Sequence, residues 1–530
     1  MEPFWIMEQR EKLRDIGKKY PSVYVYHRDT ILTQLDNLQQ HFPRFGFLYS
    51  LKANPFPPLV KAIASQGVGA DAASAREVEL AAAAGMPPSQ IYYSAPGKTW
   101  EDLERTLGKA VIIADSLHEL ELLEAVAAER STTYEVGLRI NPNFAFTGGP
   151  GVASKFGVDQ DQALAYLKNR KPGRISVQGI HVHLRSQELD PKLLAAYYGH
   201  VLELAQETAK TLGRPLAFVN LGSGIGIPYN LSEKPLDLDA LAKGLAPQEE
   251  AFAKAMPQTK VLIETGRYAV GQAGVYLTRV LDRKESHGKT FLILSNTLNG
   301  FIRPSLGQLV QNYSPNPEPA ACEPLYSEAG AFQFFTLREK PGALETVTLV
   351  GNLCTAADVV AEDLELPRLE IGDVVGITNA GAYGRVCPRT NLPAWLTFTK
   401  YCYKAKKEPS VPNLRAWCRR SLLFCLLFVA ANSRAVKQGN EVFIGGGRFL
   451  DVPVFQGTVH QIILHVCVFF IRQGPVDFRE LVCLTAGHVL SHQAKQHLSR
   501  PKGVRNPVNN PLAVFRLAWQ DQVADHHPLL

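Results

Sequence analysis

Between residues 45 and 268, short apolar runs rich in β-branched and aromatic residues alternate with longer stretches whose apolar positions recur every three or four residues. The first pattern suits a buried strand and the second an amphipathic helix. Predicted strands are Phe45–Leu51, Gly69–Ala73, Ile91–Ser94, Ala110–Ala114, Glu135–Asn141, Ser176–Leu184, Ala217–Gly222 and Val261–Thr265. Segments such as Ser74–Ala84 and Ser116–Glu129 supply the helices between them. Eight strand–helix units in about 220 residues meet the demand of a (β/α)8 barrel. A doubly wound open sheet is the alternative, but it rarely needs eight similar units.

The pattern changes after residue 268. Val275–Leu281, Thr290–Leu294, Phe332–Leu337, Thr346–Val350 and Asp373–Thr378 read as short strands separated by turns, with little helix. From about residue 387 no register persists. The predicted organisation is therefore an α/β chain with a TIM-like barrel over 25–268 and a β-domain built from 1–24 and 269–398. Residues 399–530 are expected to form an atypical tail: an appended domain, a disordered segment, or the product of a shifted reading frame. The last is preferred because charge, cysteine and histidine usage all change at one point.

Charge and cysteine usage sharpen that last boundary. The 530-residue chain carries a formal charge of +6, yet the residues after 400 hold 16 Lys/Arg against 7 Asp/Glu. The first 400 residues are thus slightly acidic, with no basic stripe to suggest nucleic acid or a membrane surface as partner. Only Cys322 and Cys354 precede residue 387, and the other six cysteines are scattered without a CxxC pair. That usage disfavours a disulfide framework or a zinc site, and suits a reducing cytoplasm. The first twenty residues lack the apolar core of a signal peptide. The longest apolar run, Leu422–Ala431, is about half of what a bilayer span needs. No metal is expected.

Candidate chemistry collects at the ends of the predicted barrel strands, the face where such barrels work. Lys52 follows the first strand in the run Tyr49–Asn54 and could hold an aldehyde cofactor as a Schiff base. A partly desolvated lysine there has a depressed pKa and a nucleophilic amine. His181 and His183 lie two apart on one strand and so share a face. His183 suits stacking on an aromatic cofactor, whereas His181 reads as a satisfied core histidine. Asn220–Tyr229 places three glycines in five residues, a backbone able to approach a phosphate closely. A dinucleotide loop is disfavoured, because the motif follows a seventh strand. Glu264 and Arg267 share one turn: the carboxylate could meet a pyridinium N–H while the guanidinium reaches a phosphate.

These residues, in this order, resemble the fold-type III pyridoxal-phosphate decarboxylases, the group of diaminopimelate and ornithine decarboxylases that share the alanine racemase-like barrel. The resemblance spans roughly residues 20–386, and includes Gly69–Ser74, Arg139–Pro142, Lys155–Gly157, Cys354 and Gly381-Ala-Tyr383. It implies pyridoxal 5'-phosphate as cofactor, held by Lys52, with Asp71 nearby and His183 stacked on the ring. Ser186, Gly222, Ser223, Gly224, Arg267 and Tyr383 would surround the phosphate, and Glu264 would meet the pyridine nitrogen. Cys354 would donate a proton from the partner subunit of a homodimer with shared active sites. Arg303, Thr355 and Asp358 would face the substrate. Racemases of similar architecture place an arginine where Glu264 stands, so this residue favours α-decarboxylation over racemisation.

The departures bear on the substrate. Arg185 stands where glycine usually precedes the serine, and Ser223 fills the middle of the glycine triplet. Ser295-Asn-Thr297 replaces an Asp-x-Gly. Thr355 replaces the acid that follows the cysteine in diaminopimelate and ornithine enzymes, and a neutral residue cannot pair with a distal ammonium. The run Asn352–Asp358 is more similar to the branch acting on conjugated amino acids, including those on an acyl-carrier protein. Two alternatives stand beside decarboxylation: racemisation, and a catalytically silent homologue that acts through protein partners.

Overall fold

The computed structural model describes residues 3–230, 232–313, 331–338, 342–384 and the backbone of 400–403. Strand β1 (Ser22–His27) precedes the barrel. The barrel then runs β2 (Phe45–Ser50), β3 (Gly69–Ala72), β4 (Ile91–Tyr93), β5 (Val111–Ala114) and β6 (Tyr134–Asn141). A two-residue β7 (Val158–Asp159) flanks β6, and β8 (Ile175–His181), β9 (Phe218–Asn220) and β10 (Lys260–Thr265) follow. Eight strands pair in parallel in the order β5-β4-β3-β2-β10-β9-β8-β6, and β5 pairs with β6 to close the ring. The closed parallel barrel expected from the strand–helix alternation is thus present. Six of its strands are shorter than the apolar runs that announced them, whereas β6 and β10 each begin one residue earlier. The apolar run near residue 180 continues to Leu184, but β8 stops at His181, so His183 lies in the loop beyond it.

The two-residue alternation of the strands explains where the chemistry sits. Leu48, Tyr92, Ile113, Phe218 and Leu262 form one buried cluster inside the ring. Phe218 fills space that glycines concede: a Cβ on Gly179 would lie 2.6 Å from its ring, and one on Gly137 2.9 Å away. Inward-facing positions recur every second residue, so the next layer up holds Ser50, Ser94, Asp115, Asn220 and Glu264, with His181 and Arg139 above the two glycines. All seven are buried. An apolar plug therefore carries a ring of polar groups one step above it, at the C-terminal ends of the strands.

The second sheet holds β11 (Gly274–Ser286), β12 (Lys289–Leu294), β13 (Phe334–Thr336), β14 (Leu344–Gly351), β15 (Val359–Pro367) and β16 (Val374–Ile377). Its path is β13-β16-β11-β12-β14-β15, and β1 joins it antiparallel to β11 with Tyr24 opposite Tyr276. The N-terminal contribution to this sheet thus runs through His27. Two features were not visible in the alternation. A helix over Ile302–Tyr313 interrupts the strands. A short strand β17 (Lys400–Tyr403) lies parallel to β1, so the chain re-enters the sheet beyond the point where the family resemblance ends. The remainder of the atypical tail lies outside the described residues. Among the described residues no helix is long and apolar enough to cross a membrane.

Candidate active site

Lys52 sits on a single 3-10 turn, Leu51–Ala53, directly after β2. Its Nζ lies 3.6 Å from Asp71 Oδ2 at the end of β3, and about a third of its side chain is exposed (33%). Ser94 donates to the other oxygen of Asp71 at 2.5 Å, which fixes that carboxylate. Burial pulls the Lys52 pKa down, but Asp71, aided by Tyr383 and Glu264, more than offsets it and the net shift is upward. The expectation of a depressed lysine is thus overturned in this state: neighbouring negative charge outweighs desolvation, and the amine is held as ammonium. Beside this pair, burial lifts Glu77 to about 7, although its carboxylate accepts the Ala73 N–H.

On the opposite side of the ring, Glu264 is 1% exposed. Asn220 Nδ2 donates to its Oε1 at 3.0 Å, and His181 Nε2 approaches the same oxygen at 3.1 Å. Burial would favour the neutral acid, yet His181 and Lys52 overcome it, and Glu264 is held as a carboxylate below its usual range. Both contacts fall on Oε1. His181, read from sequence as a core histidine, is therefore a partner of Glu264. Asn220 also ties this carboxylate to the glycine loop, because its Oδ1 accepts the Gly222 N–H at 2.9 Å.

His183 accepts the Ser223 backbone N–H on Nδ1 at 3.0 Å, which fixes the ring and leaves that nitrogen unprotonated. Burial lowers its pKa to about 3, so the imidazole is neutral. The glycine loop then passes very close: a Cβ on Gly222, whose φ is +70°, would lie 2.4 Å from the Val182 carbonyl and 2.8 Å from His183 Cβ. No side chain fits there.

Arg267 opens a short helix after β10 and is 4% exposed. Its NH1 donates to Ser186 Oγ at 3.4 Å, and its guanidinium lies 4.7 Å from the Tyr383 ring. Arg303, from the unforeseen helix of the second sheet, reaches the same ring at 5.3 Å. Tyr383 has φ +53°, an uncommon value for a bulky residue, and donates its N–H to the Ala53 carbonyl beside Lys52. Arg185 does not intrude on this cluster. Half exposed, it ranges over Phe146 and towards Glu188.

The residues of the Cys354 loop fall elsewhere. Cys354 and Thr355 are exposed, between β14 and β15 of the second sheet. Asp358 is 2% exposed and faces inward. Its carboxylate accepts Thr297 Oγ1 and the backbone N–H groups of Leu298 and Leu353. The expectation that Asp358 faces the substrate does not survive this arrangement, because its oxygens are committed to the protein.

Lys52, Asp71, His183, Ser186, Gly222, Glu264, Arg267 and Tyr383 thus converge on one end of the barrel. The arrangement suits a phosphorylated pyridine aldehyde: an amine at one end, a buried carboxylate with one oxygen to spare, a neutral imidazole, and a backbone cradle beside a buried arginine. A family model described as "Pyridoxal-dependent decarboxylase, pyridoxal binding domain" matches residues 28–271. The L-glutamyl-[BtrI acyl-carrier protein] decarboxylase of Niallia circulans is 32% identical over 373 residues, covering 68% of this chain and 83% of that protein. The chain belongs to the pyridoxal-dependent decarboxylase family. The diaminopimelate decarboxylase of Archaeoglobus fulgidus is 31% identical, with 69% and 83% of the two chains covered. The crystal structure of diaminopimelate decarboxylase from Helicobacter pylori, complexed with L-lysine, superposes with a TM-score of 0.59 at 28% identity, covering 69% of this chain and 87% of that one. As a member of this family the protein is a carboxy-lyase of amino acids that uses pyridoxal phosphate.

Proposed function

We propose that the enzyme removes the α-carboxylate of an amino acid presented as a conjugate, such as one borne on an acyl-carrier protein. The observation that carries this reading is the Cys354 loop. Thr355 is neutral, and the one carboxylate in Asn352–Asp358 is consumed by Thr297, Leu298 and Leu353. A free diamino acid would leave its distal ammonium without a partner there, whereas a conjugated side chain presents no such charge. The relative named for a carrier-bound glutamyl substrate supports the same reading.

In this reading Lys52 would hold the cofactor aldehyde, and the neutral His183 would lie beside the ring. Ser186, Ser223, Arg267, Tyr383 and the Gly222–Gly224 backbone would hold the phosphate. The spare oxygen of Glu264 would hold a proton on the pyridine nitrogen, with His181 and Asn220 on its other oxygen. When bound, pyridoxal phosphate supplies a sink for the electron pair released as carbon dioxide leaves. Arg303 orients the substrate carboxylate. Cys354 returns a proton to the α-carbon; being exposed on its own subunit, it would act at the site of a partner in a homodimer.

Carbon dioxide release over a panel of free and carrier-bound amino acids tests the proposal. Turnover is expected on a conjugate, and none on free diaminopimelate or ornithine. A higher kcat/KM on free diaminopimelate than on every conjugate would sink it. Lys52→Ala protein should lose both turnover and the borohydride-reducible chromophore.

A further inference from the structure

Thr297 occupies a position where the resemblance leads one to expect glycine, and its hydroxyl is not idle. It is 2% exposed and donates to Asp358 Oδ1 at 2.5 Å. The same oxygen accepts the Leu298 N–H at 3.1 Å, and Oδ2 accepts the Leu353 N–H at 3.0 Å. The Thr297 carbonyl takes the N–H groups of Gly300 and Phe301, at the start of the helix that carries Arg303. Gly351, whose N–H donates to the Asp358 carbonyl, leaves the room: a Cβ there would stand 1.7 Å from Thr297 Oγ1 and 2.0 Å from Asp358 Oδ2. One buried carboxylate therefore pins together two loops more than fifty residues apart in sequence, one bearing Cys354 and the other leading to Arg303.

We infer that Thr297 and Asp358 form a latch that positions the Cys354 loop, and that both are positioning residues rather than substrate contacts. The inference rests on the reading of Cys354 as proton donor. Three donors on a single desolvated carboxylate hold its loop in one conformation, and Thr297 supplies the only side-chain donor of the three. Losing a hydrogen bond to a charged group weakens such a closure by about tenfold or more.

The test uses the full chain with its cofactor. Thr297→Val keeps the volume and removes the hydroxyl, Thr297→Gly restores the residue usual in the resemblance, and Thr297→Ser keeps the donor. Hydrogen exchange at the Leu298 and Leu353 amides should quicken about tenfold in the Val and Gly variants while amides within β14 and β15 keep their rates. Turnover should fall about tenfold with KM nearly unchanged, and Thr297→Ser should restore both. Unchanged exchange, or a uniform rise across the sheet, would overturn the latch. Faster loop exchange with full turnover would overturn its positioning role. Cys354→Ala protein with full turnover would instead remove the proton-donor reading, and it leaves the exchange result to stand or fall separately.

Discussion

At the scale of single residues, the charge state of Lys52 is the least intuitive result. A lysine at a barrel mouth suggests a desolvated, reactive amine, and the sequence predicts one. The fold places Asp71 at 3.6 Å, and its charge outweighs burial. The amine must lose a proton before it can capture an aldehyde, and a pKa above the ordinary lysine value makes that proton harder to lose at neutral pH. Asp71→Asn removes the chief group that raises it. The variant should capture pyridoxal phosphate faster at pH 7, with the pH midpoint of capture moved to lower pH, even if turnover suffers. Stopped-flow absorbance from pH 6 to 10 checks this. A midpoint that stays put or rises would show that another group governs Lys52. The residue types were legible in the sequence: Lys52, His183, Glu264 and Arg267 all lie at the barrel mouth. Their electrostatics were not, because Asp71 and Ser94 reach them across strands rather than along the chain.

At the scale of elements, the site depends on a two-residue step. Apolar Leu262 and Phe218 fill the barrel, and Glu264 and Asn220 two positions later stand in the polar ring. The strands were legible from their apolar runs, but the alternation within them was masked, since parallel strands buried on both faces read as continuous hydrophobic stretches. That is why Asn220, Asp115 and the role of His181 were missed. A buried asparagine or histidine two residues after an inward-facing aromatic or glycine was the available signal. Asn220 can be tested separately because it joins β9 to both the Gly222 amide and Glu264. Asn220→Leu strands a buried N–H and one contact of a buried carboxylate, a loss of about 1–3 kcal/mol. Thermal unfolding should show that loss, and cofactor affinity should weaken with it. A variant of native stability and affinity would mean that the loop holds its shape without Asn220.

At the scale of the whole molecule, one chain brings the candidate cofactor-binding residues together but leaves Cys354 exposed on the second sheet. If it serves a partner's site, inactive Lys52→Ala and inactive Cys354→Ala chains should complement each other. In an equal mixture about half the dimers are mixed, and one of their two sites is native in both residues, so about a quarter of full activity should return. Activity that stays at zero, with mixed dimers present by native mass spectrometry, would mean that Cys354 serves its own chain's site rather than a partner's. Sequence alone could carry the barrel and the second sheet this far, because their periodicities are strong. It could not foresee β17, since four residues in an altered composition leave no periodic signal.

That short strand has a bearing on how the molecule stays apart from its neighbours. Lys400–Tyr403 runs alongside Ser22–His27 and occupies its outer row of backbone donors and acceptors. A chain cut after Gly384 would keep every residue of the barrel site yet expose that row, an open sheet margin on which other chains can add strands. Its failure would be self-association through β1 rather than loss of chemistry. The segment that looks least related to the enzyme would then act as the guard of that margin.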